Sequence, residues 1–208
     1  GGLTFKSDVR FNFFEQVSSK IIRWAKSWSL RWDDKEQNQD IYVDLSPTLP
    51  TIKLKDSKIG SDCSILFYEP RRYIHKFLNI PTFGQSVDFF NGLMKFIDKL
   101  NPEIKFKVKF RVKHNLGYDC AKRFSELFGE EKLDKFSDNN PFRKTLLNSK
   151  LIIATYAQTA FSEAMHVNIP TILIINKNHW QLSKTALDTF EVLKKNHIAF
   201  DNFDEAKN

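Results

Sequence analysis

Two apolar runs, LIIATY at residues 151–156 and TILII at 171–175, constrain the fold most. Neither alternates, so hydrophobic side chains fall on both faces, and a strand covered on both faces belongs inside a mostly parallel sheet. The segment between them, AQTAFSEAMHVNIP, has room for one helical crossover. The prediction is therefore two adjacent interior parallel strands, with a helix starting at Thr159.

From Ser64 onward the same rhythm recurs. An apolar ILFYE is followed by a helical register of Val87, Phe90, Met94 and Ile97, then by the alternating KFKVKFRVKH. Next come a helical YDCAKRFSELFG, a short helix near PFRKTLLNSK, the two apolar strands, and a last helix from about Leu182 to Lys195. Strands alternating with helices imply an α/β, Rossmann-like unit, a mostly parallel sheet with helices on both faces. KFKVKFRVKH stands apart: Phe106, Val108, Phe110 and Val112 point one way, and Lys105, Lys107, Lys109, Arg111 and Lys113 the other. Such a strand lies near an edge, or its basic face meets acidic partners.

Ahead of this unit, residues 9–32 place Val17, Ile21, Trp24 and Trp28 at helical spacing, with Lys20, Arg23, Lys26 and Arg31 among them. That pattern predicts an amphipathic basic helix, its apolar side packed on the next domain or laid on an anionic bilayer. The polar DDKEQNQD and the punctuated SPTLP then read as a connection. Two units are expected, residues 1–60 and 61–208.

A net charge of +7 and a pI near 9.3 favour anionic partners. Nucleic acid is not the expected one, because the phenylalanines of KFKVKFRVKH lie opposite its lysines instead of interleaving with them. The two cysteines form no CxxC pair and the histidines no HxH or HxxxH pair, so no disulfide framework or metal site is expected. FSEAM is not a G-x-S-x-G elbow, which argues against a serine hydrolase. No apolar run approaches the ~20 residues needed to span a bilayer and no signal-peptide core is present, so a cytoplasmic protein is expected. The basic helix would bring it to the inner face of the plasma membrane.

Ligands of open parallel sheets bind at the carboxyl ends of the strands. After LIIATY the turn Ala157-Gln158-Thr159 leads into the helix, with Thr159 as N-cap and the first-turn amides and helix dipole favouring an anion. Thr159, Ser162, Glu163 and His166 share one polar face, which either is solvated and caps the helix or meets a polar ligand. Arg71, beside Arg72 after the first strand, steers a phosphate or is simply solvated. Trp180, after TILII, stacks on a nucleobase or closes over the core.

TYAQTAFSEAMHVNIPTILI, preceded by LLNSK, resembles the C-terminal nucleotide-sugar-binding domain of GT-B glycosyltransferases, and through it the CDP-glycerol glycerophosphotransferases and UDP-N-acetylglucosamine epimerases. NKNHWQLSKTALDTFEVLKKNHIAFDNFDEA is similar to a little-characterised group of bacterial surface-carbohydrate transferases. The likeness covers about residues 64–206 and is most specific over 146–206. It implies one half of a GT-B fold and a metal-independent glycosyltransferase without cofactor. The donor is a nucleotide sugar, with a lean to CMP- or CDP-linked forms, and the acceptor a carbohydrate or lipid-linked glycan of surface-polysaccharide synthesis. Carried over by position, Gln158, Thr159 and Ala160, with Ser162 beside them, match the phosphate turn, and Glu163 the residue that holds ribose hydroxyls. Arg111 and His114 stand where the phosphotransferase-like members carry an Arg-x-His segment. The turn here has no glycine, the Arg-to-His spacing is one residue longer, and a GT-B enzyme needs a separate acceptor domain.

Overall fold

A computed structural model describes residues 19–23, 42–44, 60–69, 81–112, 117–135, 137, 139–180, 182 and 184–207. Strands β1 (Ile21–Arg23) and β2 (Tyr42–Asp44) form a small parallel pair. The predicted basic helix is thus replaced by strand at Ile21–Arg23, where two adjacent β-branched residues favour extended backbone. Its tryptophans Trp24, Trp28 and Trp32 lie outside the described residues.

The main sheet consists of β3 (Asp62–Phe67), β4 (Val108–Val112), β5 (Ser149–Ala154), β6 (Thr171–Ile174) and β7 (Ala199–Phe200). All pairings are parallel and the spatial order is β4-β3-β5-β6-β7. By chain order this is 2-1-3-4-5, a doubly wound sheet whose direction of growth reverses between β3 and β5. The predicted neighbours, β5 and β6, are parallel and interior, with Ile152, Ile153, Ala154, Leu173 and Ile174 all buried.

Helices cover both faces. Cys63, Ile65 and Phe67 of β3 pack with Phe90, Leu93 and Ile97 of α1 (Phe83–Asp98) and Phe124 of α3 (Cys120–Phe128). On the other face Leu66 and Ile152 meet Leu146 of α4 (Phe142–Asn148) and Ala164 of α5 (Thr159–His166). Ala154 and Leu173 there pack with Phe161 and with Phe190 of α6 (Lys184–Lys195). Gly60 is required just before β3, because a Cβ there would lie 1.9 Å from the Asn148 carbonyl.

The edge strand corrects one expectation. Phe106 does not join the inward row; it ends the short helix α2 (Pro102–Phe106) and is 81% exposed. The reason is local: the Asn101 side chain accepts the Glu103 amide at 2.9 Å and Pro102 opens the helix, so the strand begins only at Val108. From there Val108 and Phe110 are buried as expected, and β4 is an edge strand. Among the described residues no helix is long and apolar enough to cross a membrane.

Candidate functional site

At the carboxyl end of the sheet, Thr155 ties β5 to β3 across the point of reversal. Its amide and its hydroxyl both donate to the Leu66 carbonyl, at 3.1 and 2.9 Å. The chain then turns through Tyr156 and Ala157 into α5. Gln158 is extended and is the N-cap, while Thr159 is already helical, so the predicted Thr159 cap is displaced by one residue. No side chain caps this helix. The first helical bond runs from the Ser162 amide to the Gln158 carbonyl at 3.1 Å, so the amides of Thr159, Ala160 and Phe161 precede it without an intrahelical acceptor. At the other end Asn168 adopts φ 58°, and the Asn168 and Ile169 amides close on Met165 and Ala164, stopping the helix for an immediate return into β6.

Beside this turn lies a cavity of ≈ 240 Å³. Its floor is Leu66 of β3; Arg111 at the end of β4 and Phe142 at the start of α4 form one side; Tyr156, Gln158, Thr159, Ala160 and Glu163 form the other. Arg111 is buried and fixed: its Nη1 donates to Asp134 Oδ1 at 2.9 Å and its Nη2 to the Asn140 carbonyl at 2.9 Å. Asp134 is held in turn by Asn140 Nδ2 at 2.6 Å and by the Thr145 hydroxyl at 2.5 Å. The basic residue of the edge strand thus has an acidic partner, one of the two expectations for KFKVKFRVKH.

Glu163 behaves differently. It sits in the second turn of α5, no side chain caps that helix, and removal from water holds its carboxyl above the ordinary range. Burial also pushes the Tyr156 phenol up to about 12, against a smaller opposing pull from Arg111. Tyr156 is therefore a protonated hydrogen-bond donor at neutral pH.

The structure brings Arg111, Gln158, Thr159, Ala160 and Glu163 to one cavity. Ser162 is exposed and is not part of its wall. Trp180 is 4% exposed and packs with Ala154, Phe161 and Leu173, the core-closing alternative; it also lines a separate void of ≈ 20 Å³. Arg71 and His114 lie outside the described residues. Two groups escaped the sequence reading. Tyr156 was legible as the second residue past the strand. Glu69, two residues past β3, is buried, with Oε1 accepting the Tyr118 and Asp119 amides at 3.2 and 2.9 Å and Oε2 without a hydrogen-bond partner among the described residues.

Other chemistries find less support. Cys63 and Cys120 are buried free thiols, and burial raises both, Cys63 to about 11, so neither supplies a thiolate at neutral pH. Among the described residues no three His, Cys, Asp or Glu side chains gather closely enough to hold a metal ion.

A doubly wound α/β domain with a cavity at the point of reversal is a ligand-binding scaffold shared by many enzymes. A model of the LIC12162 family transferase matches residues 8–207, and the chain belongs to that family. It is accordingly a member of a transferase family. No curated protein and no solved structure matches it.

Proposed function

We propose that this domain binds the nucleotide-activated donor of a glycosyl transfer, for synthesis of bacterial surface carbohydrate. The observation that carries the reading is the cavity at the end of β5, where the uncapped first turn of α5, the Glu163 carboxylate and Arg111 share one wall system. The amides of Thr159 and Ala160 take a donor phosphate, and the dipole of α5 favours its charge. Glu163 accepts hydrogen bonds from the ribose hydroxyls, which suits an ionised acceptor that no group of its own helix end engages.

Arg111 contributes direction more than net charge, because Asp134 already balances it. The remaining neutralisation falls to the segments that follow β3 and β4 in the sequence, which carry Arg71, Arg72, Lys113 and His114. In this reading the protein itself balances the diphosphate and transfer is metal-independent. A cavity of ≈ 240 Å³ is below the ~300–1,000 Å³ usual for a whole small-molecule site, so it holds part of the donor. The rest of the donor and the carbohydrate or lipid-linked acceptor are met by an acceptor domain, completing a GT-B arrangement.

Calorimetric titration against CMP, CDP, UDP, GDP and their sugar conjugates tests the reading, with a cytidine-linked donor expected to bind best. Binding of single-stranded nucleic acid with no response to any nucleotide overturns it.

A further inference from the structure

Tyr156 has no part in the function just described, yet it lines the same cavity as Glu163 and Arg111. It stands two residues past β5, at the switch point, where a side chain meets whatever lies across the sheet edge. Its ring is fixed edge-on against Tyr68, the residue directly after β3, with ring centroids 5.8 Å apart. Two strand ends thus clamp one aromatic ring. The residue is half-buried and contributes to the cavity wall. A phenolic O–H in a cavity wall is a ready hydrogen-bond donor to a polar ligand.

We propose that the Tyr156 hydroxyl donates a hydrogen bond to a phosphate oxygen of the bound donor, from the wall beside the first turn of α5. The inference rests on the nucleotide-donor reading and adds to it a side-chain contact that selects for phosphate. Three observations converge on it. The hydroxyl remains a donor throughout the neutral range, because its proton is held up to about pH 12. Arg111 and Glu163 both act on that phenol: Arg111 brings positive charge from the opposite side of the cavity, whereas Glu163 brings negative charge on the α5 side. An anion seated between the α5 amides, Tyr156 and Arg111 meets donors on each of those sides, leaving Glu163 for neutral hydroxyls.

The contact makes the site discriminate between a nucleoside and its phosphorylated forms. A site built around a hydrogen-bond donor loses affinity when the ligand lacks the matching acceptor, because the buried donor is left unpaired. Removing the hydroxyl from the protein reverses that logic. Tyr156→Phe keeps the ring and its contact with Tyr68 but deletes the donor.

The test is calorimetric titration of wild type and Tyr156→Phe with CDP and with cytidine, and with UDP and uridine, beside thermal melts. The expected result is an affinity for the diphosphates lower by on the order of tenfold or more in the variant, nucleoside affinity unchanged and a melting temperature near wild type. Equal diphosphate affinity in the two proteins overturns the Tyr156 contact, as does an equal loss for nucleoside and diphosphate, which would place the phenol against base or ribose. Absence of binding by wild type to every one of these ligands overturns the donor reading itself. Should Tyr156→Phe melt well below wild type, Tyr156→His, which restores a ring N–H donor, must recover part of the diphosphate affinity; failure to do so also overturns the contact.

Discussion

Arg111 and Glu163 reach the same cavity from opposite sides of the switch point, and the protein treats them in opposite ways. Arg111 is paired within the chain: Asp134 and the Asn140 carbonyl bind it, and Asn140 and Thr145 bind Asp134. Glu163 is half-buried, and among the described residues no cap or charged partner repays its lost hydration. A charge surrounded by its own network belongs to the scaffold; one held at a cost and left available is kept for something outside the chain. The edge strand therefore supplies rigidity, and the β5–α5 turn supplies recognition.

The largest effect expected from this contrast is on the paired side. Asp134→Ala leaves the Arg111 guanidinium buried without its counter-charge, and removal of one partner from a buried pair costs about 3–5 kcal/mol. Denaturant unfolding measures it, and the double replacement Arg111→Met with Asp134→Leu should recover much of the loss. If Asp134→Ala unfolds like wild type, the network is ornamental and the contrast collapses.

Next in size is an effect on affinity and not on folding. Glu163→Ala should weaken nucleotide binding roughly ten- to a hundredfold, the worth of a charge-assisted contact of about 1.5–3 kcal/mol, with a melting temperature close to wild type. Unchanged affinity with a lowered melting point would return Glu163 to the scaffold. A smaller effect, about 1 kcal/mol of stability, is expected from Thr145→Val, which deletes the 2.5 Å bond to Asp134 Oδ2 at a buried position. Nucleotide affinity should follow only as far as Arg111 shifts.

How much of this was legible in the sequence depends on the range over which each signal acts. The two-sided apolarity of LIIATY and TILII is a local statement about cover on both faces, and it placed β5 and β6 correctly. The α5 segment carried its own stop, Asn168 with Pro170 after it. Local signals also competed. Alternation carried Phe106 into the strand although Asn101-Pro102 already announced a helix, and helical spacing around Ile21 outweighed the extended preference of Ile21-Ile22. Thr159 seemed the cap on composition, yet the chain turns one residue earlier, at Gln158. The Arg111–Asp134–Thr145 network was beyond reach for another reason. Its members sit on different elements, and only the packing of the edge strand against α4 and the preceding loop decides that they meet.

The smallest effect is also the one whose sign separates the two sides of the cavity. Burial raises the Glu163 carboxyl above its unfolded value, so between those two values the folded chain holds more protons than the unfolded chain. Stability contributed by the neutral acid is thus complete below the unfolded value and is lost as pH rises through the folded one. Glu163→Gln keeps shape and polarity but cannot ionise, and so escapes that loss. The variant should match wild type near pH 3, pull ahead as pH climbs through and just above the carboxylate range, and remain modestly the more stable at pH 7 while binding nucleotide less well. Melting curves of the two proteins across that range measure the gap. A gap of the opposite sign at pH 7 would mean that ionised Glu163 is held by a favourable partner within the chain, as Asp134 is held by Arg111, and the two sides would then differ in degree only.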